Sequence, residues 1–293
     1  MIIKELVMIK KAVILCGGLA TRLLPITKSI PKEMMPILSK PAIDYVIDDL
    51  KNNGVTDILV ILGRNKECLE NYYDRNVELE DRLLQSNKTD ILEDLKHIYE
   101  GVNISFIRQI FAKGTGYAVS LAKNFVGDDP FILSYPDELI IGQSFAKQLN
   151  EEYEKTHCSI IPLKQINISD SYKYGMVDYT ENESKIKITN IIEKPDPENS
   201  PSDICYTGGG IFTKEIFGAL ENCQEQPNGE TYLTDAFFPL INNDNLYGKV
   251  IVGERIDFGN PLGFVKGNII AALNDERYSE DILEFVTNIV HDN

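Results

Sequence analysis

The sequence predicts an α/β fold, a Rossmann-like mixed but mostly parallel sheet flanked by helices, and three observations predict it. Short apolar runs alternate with amphipathic stretches along the chain, the pattern of parallel strands joined by covering helices. The first run, Ala12 to Cys16, is β-branched and aliphatic, as a strand buried on both faces must be, and two glycines end it abruptly. A helical stretch and a second strand follow. The resulting strand-helix-strand unit has a right-handed crossover, which places the loop after the first strand at the carboxyl edge of the sheet.

In that loop, Gly17 and Gly18 admit backbone angles closed to other residues and leave no side chain between the amides and a ligand, as a phosphate-wrapping turn requires. Arg22, Lys28 and Lys32 follow, interleaved with Pro25, Pro31 and Pro36, which stiffen the segment. Three cations taken alone read as a solvated surface. Placed after a buried strand and a glycine turn, where open α/β sheets bind ligands, they predict a polyphosphate site. The residues from Gly17 read GGLATR, so neither GxxxxGK[ST] nor GxGxxG fits.

Pro41 then occupies the first turn of a helix, with Ile43, Val46, Ile47 and Leu50 at helical spacing and Gly54 closing it, and Asp57 to Leu62 is the second strand. Val77 to Tyr99 is a charged stretch with a narrow stripe (Leu79, Leu83, Leu84, Ile91, Leu92, Leu95), interrupted at Ser86-Asn87-Lys88. This pair of helices either covers the sheet or packs against a second subunit. Ile104 to Ile107 is a strand that leads into Gln109 and the run QIFAKGTGYAV. Phe131 to Tyr135 is another, delivering Asp137 at its carboxyl end. Cys158 to Leu163, Tyr174 to Val177 and Ile186 to Ile192 are further strands, the last ending in Glu193-Lys194-Pro195. Tyr278 to Asn293 is a terminal helix with Ile282, Leu283, Phe285, Val286 and Ile289 on a helical period. On residue grounds alone Asp137 is as readily a turn residue, and Glu193-Lys194 as readily an exposed strand-end ion pair.

Composition bounds the function. A chain of 293 residues, 43% hydrophobic, can bury a large core. Its net charge of -16 leaves no basic face for a nucleic-acid backbone. Met1 to Met8 is too short for a signal peptide and ends at a second possible start, so a cytoplasmic protein with no membrane association is expected. Cysteines at 16, 68, 158, 205 and 223 form no CxxC, and histidines at 97, 157 and 291 show no metal spacing, so neither zinc nor disulfides are expected.

The stretch from Lys11 to Pro36, KAVILCGGLATRLLPITKSIPKEMMP, resembles the signature of the sugar-1-phosphate nucleotidyltransferases: a glycine-rich turn, TR, a proline, then PK with a further proline. Its second half, Thr27 to Pro36, is most similar to the bacterial and archaeal UTP–glucose-1-phosphate uridylyltransferases. It departs at Ala20, where the family has glycine. The resemblance runs from residue 9 to about 275. It implies one GT-A-like catalytic domain over 9–275, with a sugar-binding part at about 158–245, and a C-terminal helix over 276–293.

Carried over residue by residue, the resemblance makes Arg22 and Lys32 catalytic through the phosphates and gives Gly17 and Gly18 to the nucleotide. It places Gln109 on uracil, with Lys113, Gly114 and Gly116 as the wall around the base; a carboxamide complements the adjacent O4 acceptor and N3 donor. Glu193 and Lys194 hold the sugar phosphate, and Gly175 with Gly208 or Gly209 lets the sugar approach closely. Asp137 binds a metal ion together with Asp257 from the segment Ile256-Asp257-Phe258-Gly259-Asn260-Pro261-Leu262-Gly263, and hard oxygen ligands with phosphates suit Mg²⁺. Glu230, Thr234 and Asp235, in GETYLTDA, also match the family, though capping a helix is reason enough for them. The implied reaction joins UTP and glucose 1-phosphate into UDP-glucose and pyrophosphate, in a homo-oligomer, dimer or tetramer. Two alternatives stay open: transfer of thymidylate, since glutamine also pairs with thymine, and a regulatory nucleotide-sugar-binding paralogue without activity, which Ala20 alone supports.

Overall fold

The computed structural model describes residues 8–291. Its strands, in chain order, are β1 (Lys11–Cys16), β2 (Pro36–Ile37), β3 (Lys40–Pro41), β4 (Asp57–Leu62), β5 (Asn103–Arg108), β6 (Phe131–Ser134) and β7 (Glu138–Ile141). They continue as β8 (Ser159–Gln165), β9 (Gly175–Asn182), β10 (Lys185–Glu193), β11 (Ile204–Tyr206), β12 (Gly210–Phe212), β13 (Leu246–Val250) and β14 (Glu254–Asp257). Ten of them form one mixed sheet in the order β11-β9-β10-β13-β8-β12-β6-β1-β4-β5. The run β5-β4-β1-β6 is parallel throughout, as a Rossmann-like sheet requires, while β9, β10, β11 and β12 pair antiparallel with their neighbours, so the mixed sheet is less parallel than expected.

Alternation along β1 explains why this strand sits near the middle. Ala12, Ile14 and Cys16 belong to the core on one face, and Val13 and Leu15 to the core on the other. The first core is closed by helix Ala42–Asn52, through Ile43, Ile47 and Leu50, and by helix Phe145–Thr156, through Ala146 and Leu149. The second is closed by Gly114–Ser120, Glu215–Glu221 and Phe237–Asn242. Pro41 is the N-cap of its helix rather than a first-turn residue, because it is paired in β3 with Pro36 and only Ala42 begins the turn.

The helix pair expected over Val77 to Tyr99 forms as Val77–Gln85 and Thr89–Tyr99, with Asn87 in the left-handed region between them. Leu79, Leu84 and Ile91 of the stripe, and Val77 beside it, are exposed in the single chain, so half of the stripe does not cover the sheet. The terminal helix, Ser279–His291, packs on helix Pro261–Leu273, and residues 292 and 293 of the expected segment lie outside the described residues, as do 1–7 of the amino terminus. Among the described residues no helix is long and apolar enough to cross a membrane. The five cysteines are free.

The triple glycine decides the shape of the candidate site. β11 and β12 run in succession along β8, β11 through Leu163 to Gln165 and β12 at Ile160, but their outer edges face different strands, β9 and β6. The sheet therefore splits between Tyr206 and Gly210. The split needs left-handed backbone with no side chains: Gly209 has φ +72°, and a β-carbon there would stand 2.5 Å from Leu133 O.

Candidate active site

The carboxyl ends of β1, β4, β5 and β6 define one edge, and the loop after β1 lies along it. Gly17 and Gly18 are not among the residues with positive φ, which corrects half of the expectation for them. What Gly17 provides is clearance, whereas a β-carbon at Gly18 would make only an ordinary contact. A β-carbon at Gly17 would collide with the Gln109 side-chain amide, and one at Gly18 would stand 3.7 Å from Lys32 Nζ. Gln109, delivered by the end of β5 and held by its N–H on Leu62 O at 3.0 Å, is thereby brought against the loop. The left-handed residue of the loop is Ala20, at φ 50° and ψ 42°. Its carbonyl accepts from Thr27 Oγ1 at 2.8 Å and from Leu23 N at 3.0 Å.

Asp137 lies just past β6, after Tyr135 and Pro136, and Asp257 ends β14. The two meet because β7, which starts at Glu138, pairs antiparallel with β14 in a register that sets Asp257 against Glu138. Phe258 N donates to Asp137 O at 2.9 Å. Both carboxylates converge on Gly259: a β-carbon there would lie 2.8 Å from Asp257 Oδ1, 3.0 Å from Asp137 Oδ2 and 2.7 Å from Arg22 Nη2. Each carboxylate also holds one of the predicted cations, Lys32 on Asp137 at 2.5 Å and Arg22 on Asp257 at 3.1 Å.

Burial alone would lower the Lys32 pKa, but the Asp137 carboxylate outweighs it by charge and hydrogen bond and holds it above the ordinary lysine value, so Lys32 is charged. Beside it the Glu138 carboxyl is pushed up to about 8, first by burial, with Arg255 opposing and Asp137 and Asp257 adding repulsion. Asp137 and Asp257 present hard carboxylate oxygens to one hollow beside Gly259, the donor type a divalent cation takes, so the two residues fit such an ion. Among the described residues no group of three or more His, Cys, Asp or Glu could hold one. Two protein carboxylates leave the remaining positions to phosphates and water, as magnesium sites commonly do.

The sugar-side residues assemble around the split in the sheet. Gly175 pairs with Glu193 in register, and a β-carbon there would stand 3.1 Å from Glu193 Oε2. Lys194 is left-handed, at φ 50°, with its N–H on Tyr174 O at 2.9 Å. Lys194 Nζ lies 3.5 Å from Glu193 Oε1 with both side chains exposed, a pair worth little by itself and free to take a ligand. Tyr206, opposite Gly175, donates its hydroxyl to Gly209 O at 3.1 Å, and a β-carbon at Gly208 would press on the Tyr135 ring at 3.0 Å.

The predicted base wall has a second partner. Gly116 N donates to Thr231 O and Lys113 O accepts from Thr231 N, both at 2.8 Å, and a β-carbon at Gly114 would stand 2.6 Å from Thr231 O. Close chain-to-chain packing therefore already requires these glycines. Lys113 Nζ lies 3.0 Å from Glu225 at the surface. None of Glu230, Thr234 or Asp235 caps the turn Leu233–Ala236; the Leu233 N–H is taken by Thr115 Oγ1 at 3.1 Å, and Asp235 accepts from Gln226.

Sequence reasoning passed over Gly259, Asn260, Glu33 and Lys66. Asn260 had a legible signal, an asparagine before a first-turn proline: its Oδ1 caps helix Pro261–Leu273 through Gly263 N at 2.8 Å, while its Nδ2 donates to Asp257 at 3.1 Å. Lys66 had none.

Comparison with known proteins matches residues 11–271 to the nucleotidyl transferase family. UTP–glucose-1-phosphate uridylyltransferase 2 of Staphylococcus saprophyticus is 38% identical over 280 residues, 95% of this chain and 97% of that protein. The UTP-bound UGPase from Acinetobacter baumannii superposes with a TM-score of 0.87 at 33% identity, covering 96% of this chain and 99% of that one. A UDP-glucose pyrophosphorylase complexed with UDP-glucose gives 0.80 at 32%, covering 89% and 97%.

Proposed function

The chain belongs to the UTP–glucose-1-phosphate uridylyltransferases of the nucleotidyl transferase family, and from that membership we propose how its residues perform the transfer. It converts UTP and glucose 1-phosphate to UDP-glucose and pyrophosphate. The observation that carries the reading is the convergence of Asp137, Asp257 and Arg22 on Gly259, with Lys32 bonded to Asp137.

A phosphate oxygen of glucose 1-phosphate forms a bond to the α-phosphorus of UTP in line, the bond from that phosphorus to the bridging oxygen breaks, and pyrophosphate leaves. The attacking oxygen is already anionic near neutral pH, so no general base is required. What the protein must supply is alignment of two mutually repelling anions and charge to offset their repulsion. Arg22, more than half exposed, reaches the nucleotide phosphates, and Lys32 neutralises charge where the two substrates meet. Lys194 takes the sugar phosphate, Glu193 the hexose hydroxyls, and Gln109 the uracil edge. Gly175, Gly208 and Gly209 leave room for the sugar, and Gly17, Gly18 and the Lys113–Gly116 turn enclose the nucleotide. Asp137 and Asp257 would hold Mg²⁺, which would supply positive charge to the reacting phosphates.

Residues 9–275 act as one catalytic domain, because a single sheet carries both the nucleotide edge and the sugar-side strands. The free cysteines are in keeping with a cytoplasmic enzyme. The exposed apolar side chains of the outlying helices and of the terminal helix are surfaces on which a homo-oligomer can form. The test is pyrophosphate release from UTP, dTTP, CTP, ATP and GTP against glucose 1-phosphate and other sugar phosphates. Release with UTP and glucose 1-phosphate above all other pairs supports the reading. A dTTP rate equal to that of UTP points to the thymidylyl alternative, and UDP-glucose binding without turnover of any pair to the regulatory one.

A further inference from the structure

Beneath the loop that carries Lys32 lies a pair of opposite charges that the reaction as described does not use. Lys66 Nζ stands 2.6 Å from Glu33 Oε1, and the side chains are 7% and 0% exposed, a depth neither residue type reaches without a partner. Glu33 follows Lys32 in the single turn Lys32–Met34. Lys66 comes from the loop after β4, where Gly63 N donates to Cys16 O at 3.1 Å and so ties that loop to the end of β1. Glu33, Lys66, Asp137 and Lys32 all act on the buried Cys16 thiol, which places the four charged groups around one point under the site.

Stability does not account for such a pair. Buried ion pairs seldom outperform apolar side chains of the same shape, and Glu33 Oε2 has no hydrogen-bond partner, which makes this one more costly. What a buried pair does provide is a single arrangement. The turn Lys32–Met34 is held by few backbone bonds of its own, Met34 N to Pro31 O at 2.9 Å and Met35 N to Lys32 O at 3.1 Å. Glu33 acts on Lys32 only through its charge, whereas Asp137 is bonded to it; with Glu33 anchored by Lys66, the turn presents the Lys32 ammonium to Asp137.

We infer that Lys66 is a positioning residue for uridylyl transfer: its ion pair with Glu33 fixes the turn that aims Lys32 at Asp137 and the reacting phosphates. This rests on the proposed function. A displacement of about 1 Å in such a group lowers rates by about a hundredfold, so the effect belongs in kcat.

The experiment is a double-mutant cycle with purified enzyme, UTP and glucose 1-phosphate. Lys66→Met lowers kcat at least about tenfold, while both KM values stay within about threefold. Because Lys66→Met strands a buried carboxylate and can fail to fold, Glu33→Gln/Lys66→Met, which removes both charges, is made alongside it; it folds and shows the same loss of kcat. In a Lys32→Ala background the same changes cost less than about threefold, since they act through Lys32. A folded Glu33→Gln/Lys66→Met enzyme with wild-type kcat, or equal losses with and without Lys32, overturns the inference. A wild-type protein that releases no pyrophosphate from UTP overturns the proposed function instead, so the two failures are separable.

Discussion

Replacing Ala20 by glycine tests the loop at the position where it departs from its family. Ala20 has φ 50° and ψ 42°, and two hydrogen bonds to its carbonyl, from Thr27 Oγ1 and Leu23 N, hold it there. An L-residue with a β-carbon pays about 1–2 kcal/mol in this region, which glycine does not. Glycine in turn gives the unfolded chain more freedom, a loss of about 0.4–1 kcal/mol. The first effect is the larger, so Ala20→Gly is stabilising by about 1 kcal/mol, a rise of about 1–2 °C in Tm for a chain of this size. Because the alanine already adopts the conformation a glycine would take, the nucleotide edge is not rebuilt, and KM for UTP falls by no more than about threefold with KM for glucose 1-phosphate unchanged. Thermal melts and steady-state kinetics on the one variant measure both effects. A glycine variant that melts at or below the wild-type temperature refutes the strain, and would assign the family glycine to clearance for the nucleotide instead.

Lys32→Ala and Arg22→Ala each lower kcat/KM by more than about a hundredfold with the fold intact, and near-wild-type turnover in either would remove that residue from the mechanism. Activity depends on Mg²⁺ or Mn²⁺, and Asp137→Asn and Asp257→Asn each abolish it without additivity, since both serve one ion; full turnover in excess chelator would dispose of the metal site. UTP is preferred to CTP through Gln109, because cytosine exchanges the donor and acceptor that a fixed carboxamide meets, at about 1–3 kcal/mol for each mismatched group. Equal kcat/KM for the two nucleotides would remove Gln109 as the selector.

The sequence made legible what is local and left illegible what depends on register. β1 could be read because a strand buried on both faces is apolar at every position, and the cations after it because they contradict the charge of the whole chain. Gly17 and Gly18 were given a conformational reason in part that their backbone does not bear out, because a glycine needed for clearance and one needed for positive φ are the same letter. The meeting of Asp137 with Asp257 depends on β7 and β14, four residues each, whose antiparallel pairing no periodicity reports; only the family motif pointed to it. The split sheet at Gly208 to Gly210 was unreadable for a related reason, since one edge of β8 is shared by two successive strands. Lys66 is the extreme case. A lysine in a polar loop reads as solvated, and its burial arises because the fold sets it against the buried carboxylate of Glu33, a residue far earlier in the chain. A catalytic loop can therefore be recognised from its own residues, while the residues that keep it aimed come from whichever segment the sheet brings beneath it, and they carry no signal until the fold is known.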